Sequence, residues 1–158
     1  MPRLSRQESR NITVDKLRRA AIEEFAINGF AGAAIDRITE NAGYSRGAFY
    51  ANYASKDEIL LDILAQEHIH ELDRWRALLD HAADLDTICN GIADTLAHYI
   101  GNTSQGMFIA EVQLHARRNP EFAEKYRTHM RQVHGTLSEL LAASFRKAGR
   151  HPPADIED

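Results

Sequence analysis

Gly43 separates two short runs that no single helix can join. Before it, Ile35 and Ile38 lie one helical turn apart, and Ala42-Gly43 breaks the run. After it, Ser45 opens a second segment from Arg46 to Tyr53, with Phe49 and Tyr53 on one side and Arg46, Tyr50 and Asn52 within reach of another. A sharp turn between helices favours glycine, because positive φ is cheap only without a Cβ. Two short helices joined this way form a helix-turn-helix unit, whose second helix is sized for the DNA major groove. The expected fold is all-α, with a three-helix DNA-reading head.

The residue types suit that role. Ser45 can accept a hydrogen bond from the first amides of the next helix. Gly47 and Ala48 are small, so the start of that helix can approach a base edge or a phosphate closely, and its partial positive charge suits an anion. Arg46 can pair with a phosphate or with guanine, and Tyr50 and Asn52 carry polar tips suited to DNA. Ser55-x-x-Glu58 is a capping box for a further helix. Lys56 in its first turn opposes the helix dipole, and is expected to serve as a phosphate contact instead.

The run Gly29-Phe30, Ile35-x-x-Ile38, Ala42-Gly43-Tyr44-Ser45-Arg46-Gly47-Ala48-Phe49-Tyr50, Asn52-Tyr53 and Ser55-Lys56-Asp57-Glu58 resembles the N-terminal domain of TetR-family transcription regulators. The resemblance is strong over residues 12–65 and extends beyond only by helical layout. It implies that Tyr50 and Lys56 hold phosphates while Arg46, Gly47, Ala48 and Asn52 face the major groove. The DNA-binding set is then Ser45, Arg46, Gly47, Ala48, Tyr50, Asn52 and Lys56. Three positions depart from the family pattern. Ala33-Ala34 stands where the family often has Thr or Ser, so a phosphate-binding hydroxyl and helix cap are missing. Thr39 replaces a small Ala and Tyr44 a Val.

Charge is divided unevenly. The chain's net charge is −4, yet residues 1–56 hold nine Lys/Arg against six Asp/Glu, and residues 57–158 hold ten against seventeen. A head at +3 on a body at −7 orients a protein towards a polyanion. Arg3, Arg6 and Arg10 make residues 1–12 either a solvated tail or a basic arm that adds phosphate or minor-groove contacts. The head is placed at 13–56 and a helical effector-binding and dimerisation domain at 57–158. The single Cys89 cannot form an intramolecular disulfide. With no apolar run of membrane-spanning length and no signal-peptide core, a cytoplasmic protein away from membranes is expected.

Helical periodicity runs through the rest. Val14, Leu17, Ala21 and Phe25, with Ile22 and Ala26 beside them, mark a support helix from Thr13, its cap, to Asn28. Gly29 stops it, Ile27 and Phe30 seal its junction, and Arg18 and Arg19 lie in solvent. Leu60, Leu64, His68, Leu72, Trp75 and Leu79 stripe a long helix opened by Ser55. Three further helices are expected, over about Leu85–Ile100 (Ile88, Ile92, Leu96, Ile100), Ser104–Arg118, and from Asn119-Pro120 to Gly149. His68 and His70, two residues apart, face different sides of a helix and the other histidines are scattered, so neither metal nor cofactor is expected. No catalytic motif is present and an enzyme is not expected.

By the same resemblance, the body helices surround an effector cavity. Glu111 and Gln113 are its candidate polar groups, and Trp75, Met107 and Phe108 its candidate walls. The family layout also implies two more helices that pack against a second subunit, so the chain is a fragment, or dimerises differently, or has a partly open body, and the fragment is the expectation. The function expected is a sequence-specific transcription regulator, a repressor released from a palindromic double-stranded operator by a partly apolar small molecule, acting as a homodimer. The alternative is a helical adaptor that kept the fold without DNA binding, and Ala33-Ala34 with the missing C-terminus motivates it.

Overall fold

The first helix begins one capping box earlier than its apolar stripe. In a computed structural model, α1 runs Arg6–Gly32, with Ser5 as N-cap. The Glu8 amide donates to Ser5 Oγ at 3.2 Å, and the Ser5 amide donates to Glu8 Oε2 at 2.7 Å. Thr13 therefore lies inside the helix, where its hydroxyl donates to the Ser9 carbonyl at 2.9 Å. That corrects the expected start, and it puts Arg6 and Arg10 of the expected basic arm on α1. The structure describes residues 5–81, 86–88, 90–91, 93–94, 97 and 103–147. Arg3, Cys89, Ile92, Leu96, Ile100 and the segment after Lys147 lie outside the described residues.

Helices α2 (Ile35–Ala42) and α3 (Arg46–Tyr50) follow, then α4 (Lys56–His81). Gly43 ends α2 in the left-handed conformation at φ 73°. This lets its own amide reach Glu40 O at 3.0 Å and the Tyr44 amide reach Thr39 O at 2.9 Å, closing off the last carbonyls of α2. The two polar departures fit locally. Buried Thr39 turns its hydroxyl to the Asp36 carbonyl at 2.9 Å, and the Tyr44 ring lies 5.7 Å below Lys16 Nζ. At 26 residues, α4 is ~39 Å long at ~1.5 Å per residue. Ser55 Oγ caps it by accepting from Glu58 N, and Glu58 in turn accepts from Ala54 N. Beyond it lie helical residues between 86 and 97, α5 (Thr103–Arg118) and α6 (Pro120–Lys147). All regular structure among the described residues is helical.

The chain divides into two compact units. One is Met1–Leu64 with Met107–Asn119, and the other is Ala65–Gly106 with Pro120–Asp158. In the first, α1 packs on α2 and α2 on α3. Leu17, Ala21, Phe25, Phe30, Ile38, Phe49, Tyr53, Ile59, Leu60, Ile63 and Val112 are buried. Each large apolar side chain so buried stabilises by about 1.5–3 kcal/mol. Phe30 seals the end of α1 as expected, but Ile27 is 78% exposed and Ile22 is also on the surface. The helix breaks at Gly29 (φ 65°, ψ 167°), and it is Phe30, beyond the break, that turns into the core while Ile27, before it, stays outside.

Two charged side chains that periodicity does not flag hold this unit together. Glu24 is 3% exposed, and its Oε1 accepts from Arg37 Nε at 2.6 Å and from Ala34 N at 3.1 Å. Ala34, the N-cap of α2, has no side chain able to cap, so a carboxylate from α1 supports the start of α2 instead. Burial pushes the Glu24 carboxyl up, but the Ala34 amide and Arg37 outweigh it and hold it below its ordinary 4.5. Arg18, expected in solvent, instead donates to both Asp62 oxygens at 2.7 and 3.0 Å, and Tyr53 donates its phenol proton to the same carboxylate. Arg19 is exposed as expected. Because the folded Glu24 carboxyl titrates below that of the unfolded chain, its contribution is present above pH ~4.5 and is lost as pH falls. Glu24→Gln should therefore cost about 2 kcal/mol at pH 7 and flatten stability between pH 5 and 3, as read by urea unfolding at each pH.

Candidate nucleic-acid interface

α3 is short because its sequence asks for two different faces. Ser45 caps it, accepting from Ala48 N at 3.2 Å. Phe49 points inward and is fully buried, with Tyr53 against it at a ring separation of 5.7 Å and Ile38 also in the core. The opposite side holds Ser45, Arg46, Gly47 and Tyr50, all exposed, with Tyr50 at 47%. Ala48 is half-buried between the two. Aromatic anchors behind and small or polar residues in front leave a rod with one free side.

The free side is already wired internally. Arg46 Nη1 donates to Asp36 Oδ1 and Oδ2 at 3.1 and 3.2 Å, Nη2 reaches Tyr50 Oη at 3.4 Å, and the guanidinium lies 5.6 Å from the Tyr50 ring. Asn52, expected to face the groove, is turned aside. Its Nδ2 donates to Ala48 O at 2.8 Å, and its Oδ1 accepts from Arg10 Nε at 3.1 Å. This brings α1 to the end of the rod. The signal for that extended α1 was present in the sequence as Ser5-x-x-Glu8, a capping box like the one before α4. Nothing in the spacing of Asp36 and Arg46 announces their pairing.

Lys56, read from the sequence as a phosphate contact, is turned inward. Its Nζ donates to Phe30 O at 2.8 Å and Ala33 O at 2.7 Å, with Ala31 O at 3.5 Å, and sits 4.9 Å from the Phe30 ring. The carbonyls at the end of α1 have no helical partner, and a long cationic side chain at the start of α4 reaches them. Burial lowers the Lys56 pKa from its ordinary 10.5, and Asp57 and Glu24 counter it.

α5 works on the same corner. Glu111 Oε2 accepts from Phe30 N at 3.1 Å, beside the break at Gly29. The His115 ring lies 4.0 Å from Phe30, and its Nε2 is 2.9 Å from Asp57 Oδ1, while Asn119 Nδ2 donates to Asp57 Oδ2 at 3.2 Å.

This arrangement agrees with a family comparison. Residues 17–63 match the family model described as bacterial regulatory proteins, tetR family. Over that segment the chain is similar to the N-terminal domain of TetR-family regulators. The HTH-type transcriptional regulator UidR of Escherichia coli K12 is 26% identical over 136 residues, 86% of this chain and 66% of its own length. The HTH-type transcriptional repressor AcnR of Corynebacterium efficiens is 25% identical over 137 residues, 84% of this chain and 66% of its own length. The chain thus spans just under two thirds of both relatives. In fold, the crystal structure of FadR from Bacillus subtilis in complex with stearoyl-CoA superposes with a TM-score of 0.70 at 19% identity, over 90% of this chain and 76% of its own.

In the second unit, a cavity of about 150 Å³ is lined by His68, Glu71, Leu72, Trp75, Met130, Val133, His134 and Leu137. Of the expected effector residues, Trp75 lines it. The others do not: Met107 is 57% exposed, Gln113 is exposed, Phe108 is half-buried, and Glu111 is bound to the Phe30 amide. Glu111 turns to the end of α1 instead, a choice that a period read within one helix cannot reveal.

His70 is exposed, whereas His68 Nδ1 lies 2.7 Å from His129 Nε2. The sequence places these two histidines 61 residues apart, and only folding joins them. Among the described residues, no three His, Cys, Asp or Glu side chains group as metal ligands, and no helix is long and apolar enough to cross a membrane.

Two outcomes follow. Lys56→Ala strips the α1 carbonyls of their partner and should cost about 1–2 kcal/mol after allowance for partial exposure, measured by chemical unfolding. Burial first, then His129 and His134, lowers the His68 pKa below 6.5 against Glu71, and burial lowers that of His129. The unfolded chain therefore takes up protons first, so stability should fall as pH drops below ~6.5. His68→Gln should reduce that slope in thermal melts between pH 7 and 5.

Proposed function

We propose that this chain is the DNA-binding head and effector-responsive body of a cytoplasmic transcription regulator, working as a repressor. As a homodimer it sets two α3 rods into successive major grooves of a palindromic operator, about one helical turn or slightly more apart. The observation that carries this reading is the exposed Arg46–Tyr50 face on a rod anchored by buried Phe49 and Tyr53. Arg46 supplies base or phosphate hydrogen bonds, Tyr50 a phosphate contact, and Gly47 a close backbone approach. Ser45 and Ala48 hold and space the rod. Asn52 and Lys56 act behind it, Asn52 by tying α1 to α3 and Lys56 by fixing the corner from which α2 starts.

The effector is a small, partly apolar molecule. Leu72, Trp75, Met130, Val133 and Leu137 supply apolar walls to the cavity, and His68, Glu71 and His134 supply polar groups. AcnR is named a repressor, and FadR was crystallised with stearoyl-CoA. Both support a repressor that responds to a ligand. An effector that prefers a body conformation incompatible with two-groove binding shifts the population off DNA.

Selection of bound DNA from a random pool by the full-length protein tests this reading. A palindromic site should emerge, and its affinity should fall about a thousandfold between ~50 and ~200 mM salt if about six phosphates are engaged. Tyr50→Phe should weaken binding on every sequence. Arg46→Ala should also change which operator variants are preferred, and equal losses on all variants would remove Arg46 from base reading. No enriched sequence and no salt-dependent binding would leave the adaptor reading.

A further inference from the structure

The Arg46 guanidinium is the one group on the exposed face of α3 suited to reading a base, and it is already paired. Both oxygens of Asp36 accept from Nη1, and Tyr50 Oη lies at 3.4 Å from Nη2. The pair is open to solvent, with the Arg46 and Asp36 side chains 59% and 69% exposed. Asp36 sits in the first turn of α2, beside the face that the proposed function turns towards a polyanion. An acidic side chain there opposes binding to any phosphate backbone. Its position calls for a role other than affinity.

We propose that Asp36 is a specificity-determining residue, which holds Arg46 so that it reads a guanine edge in preference to a phosphate. The proposal rests on the DNA-binding reading above. A guanidinium carries five N–H donors; Asp36 takes the Nη1 end and Tyr50 one Nη2 donor, which leaves Nε and the other Nη2 donor. The remaining donors can meet guanine O6 and N7, which are neutral acceptors and leave the ion pair intact. A phosphate reached by the same guanidinium brings a second anion against the Asp36 carboxylate. Either the pair breaks, exchanging one anion for another, or two like charges share one guanidinium. The base contact is additive and the phosphate contact is competitive. Because exposed pairs are weak, the latch yields to neither by unfolding the head, and its effect falls on the choice of partner.

The test compares binding to the selected site with binding to a random-sequence duplex of equal length, for the wild-type full chain, Asp36→Asn, Arg46→Ala and the double variant. Asp36→Asn should raise affinity for random DNA more than for the selected site, lowering their ratio about fivefold. The salt dependence on random DNA should steepen by about one phosphate. In the Arg46→Ala background, the same substitution should change the ratio by less than about twofold, since only the long-range charge effect remains. Asp36→Ser, which keeps a hydroxyl at the start of α2, should reproduce the Asn result if Asn proves unstable by circular dichroism. An unchanged ratio in Asp36→Asn and Asp36→Ser overturns the proposal, and so does an equal fall with and without Arg46. A wild-type protein that selects a site while these ratios stay unchanged leaves the DNA reading standing and removes only Asp36. One that selects no site removes both.

Discussion

The corner between α1 and α2 is held by charged side chains bound to backbone groups that the helices leave without partners. Lys56 takes the Phe30 and Ala33 carbonyls, Glu111 takes the Phe30 amide, and Glu24 takes the Ala34 amide while pairing with Arg37. The break at Gly29 makes these groups available, and burial makes leaving any of them unpaired costly. The direction of α2, and through the Gly43 turn the direction of α3, follows from this corner. Ala34 brings no hydroxyl to the start of α2, and the Glu24 carboxylate supports that start in its place.

The exposed face of α3 inherits its precision from that foundation, but it is not a row of free cations. Arg46 is committed to Asp36 and Tyr50, Asn52 to Arg10 and Ala48, and Lys56 to the interior. An interface built this way exchanges internal hydrogen bonds for external ones. Net affinity is then the difference between two sets of contacts of similar kind, and small changes in acceptor geometry carry much of the discrimination. A head with a net charge of only +3 fits that economy, because its long-range attraction to any polyanion is modest without local contacts.

α4 and α5 contribute to both compact units, since each unit contains part of each helix. In the first unit, His115 and Asn119 grip Asp57 at the start of α4, next to Lys56. In the second, the His68–His129 pair stands beside a cavity whose walls are mostly apolar. Neutral imidazoles suit that position. Each offers one donor and one acceptor, and burial discourages the charged form.

Local pattern alone determined that the chain is helical, that Gly43 turns it between two short helices, and that Phe49 and Tyr53 face inward while Arg46 and Tyr50 face out. These follow from spacing within one or two turns, where steric and hydrogen-bonding rules act on neighbours. The start of α1 was also written locally, in Ser5 and Glu8. Tertiary structure alone decided which polar side chains find partners: Arg18 with Asp62 across 44 positions, Glu111 with Phe30 across 81, His68 with His129 across 61. It likewise turned Lys56 and Asn52 away from the outer face and withheld Glu111 from the cavity. A charged or amide side chain is long and can satisfy its hydrogen bonds in several directions, so its own position in the sequence does not choose among them. The choice goes to whichever unpaired backbone group or opposite charge the packed helices bring within reach.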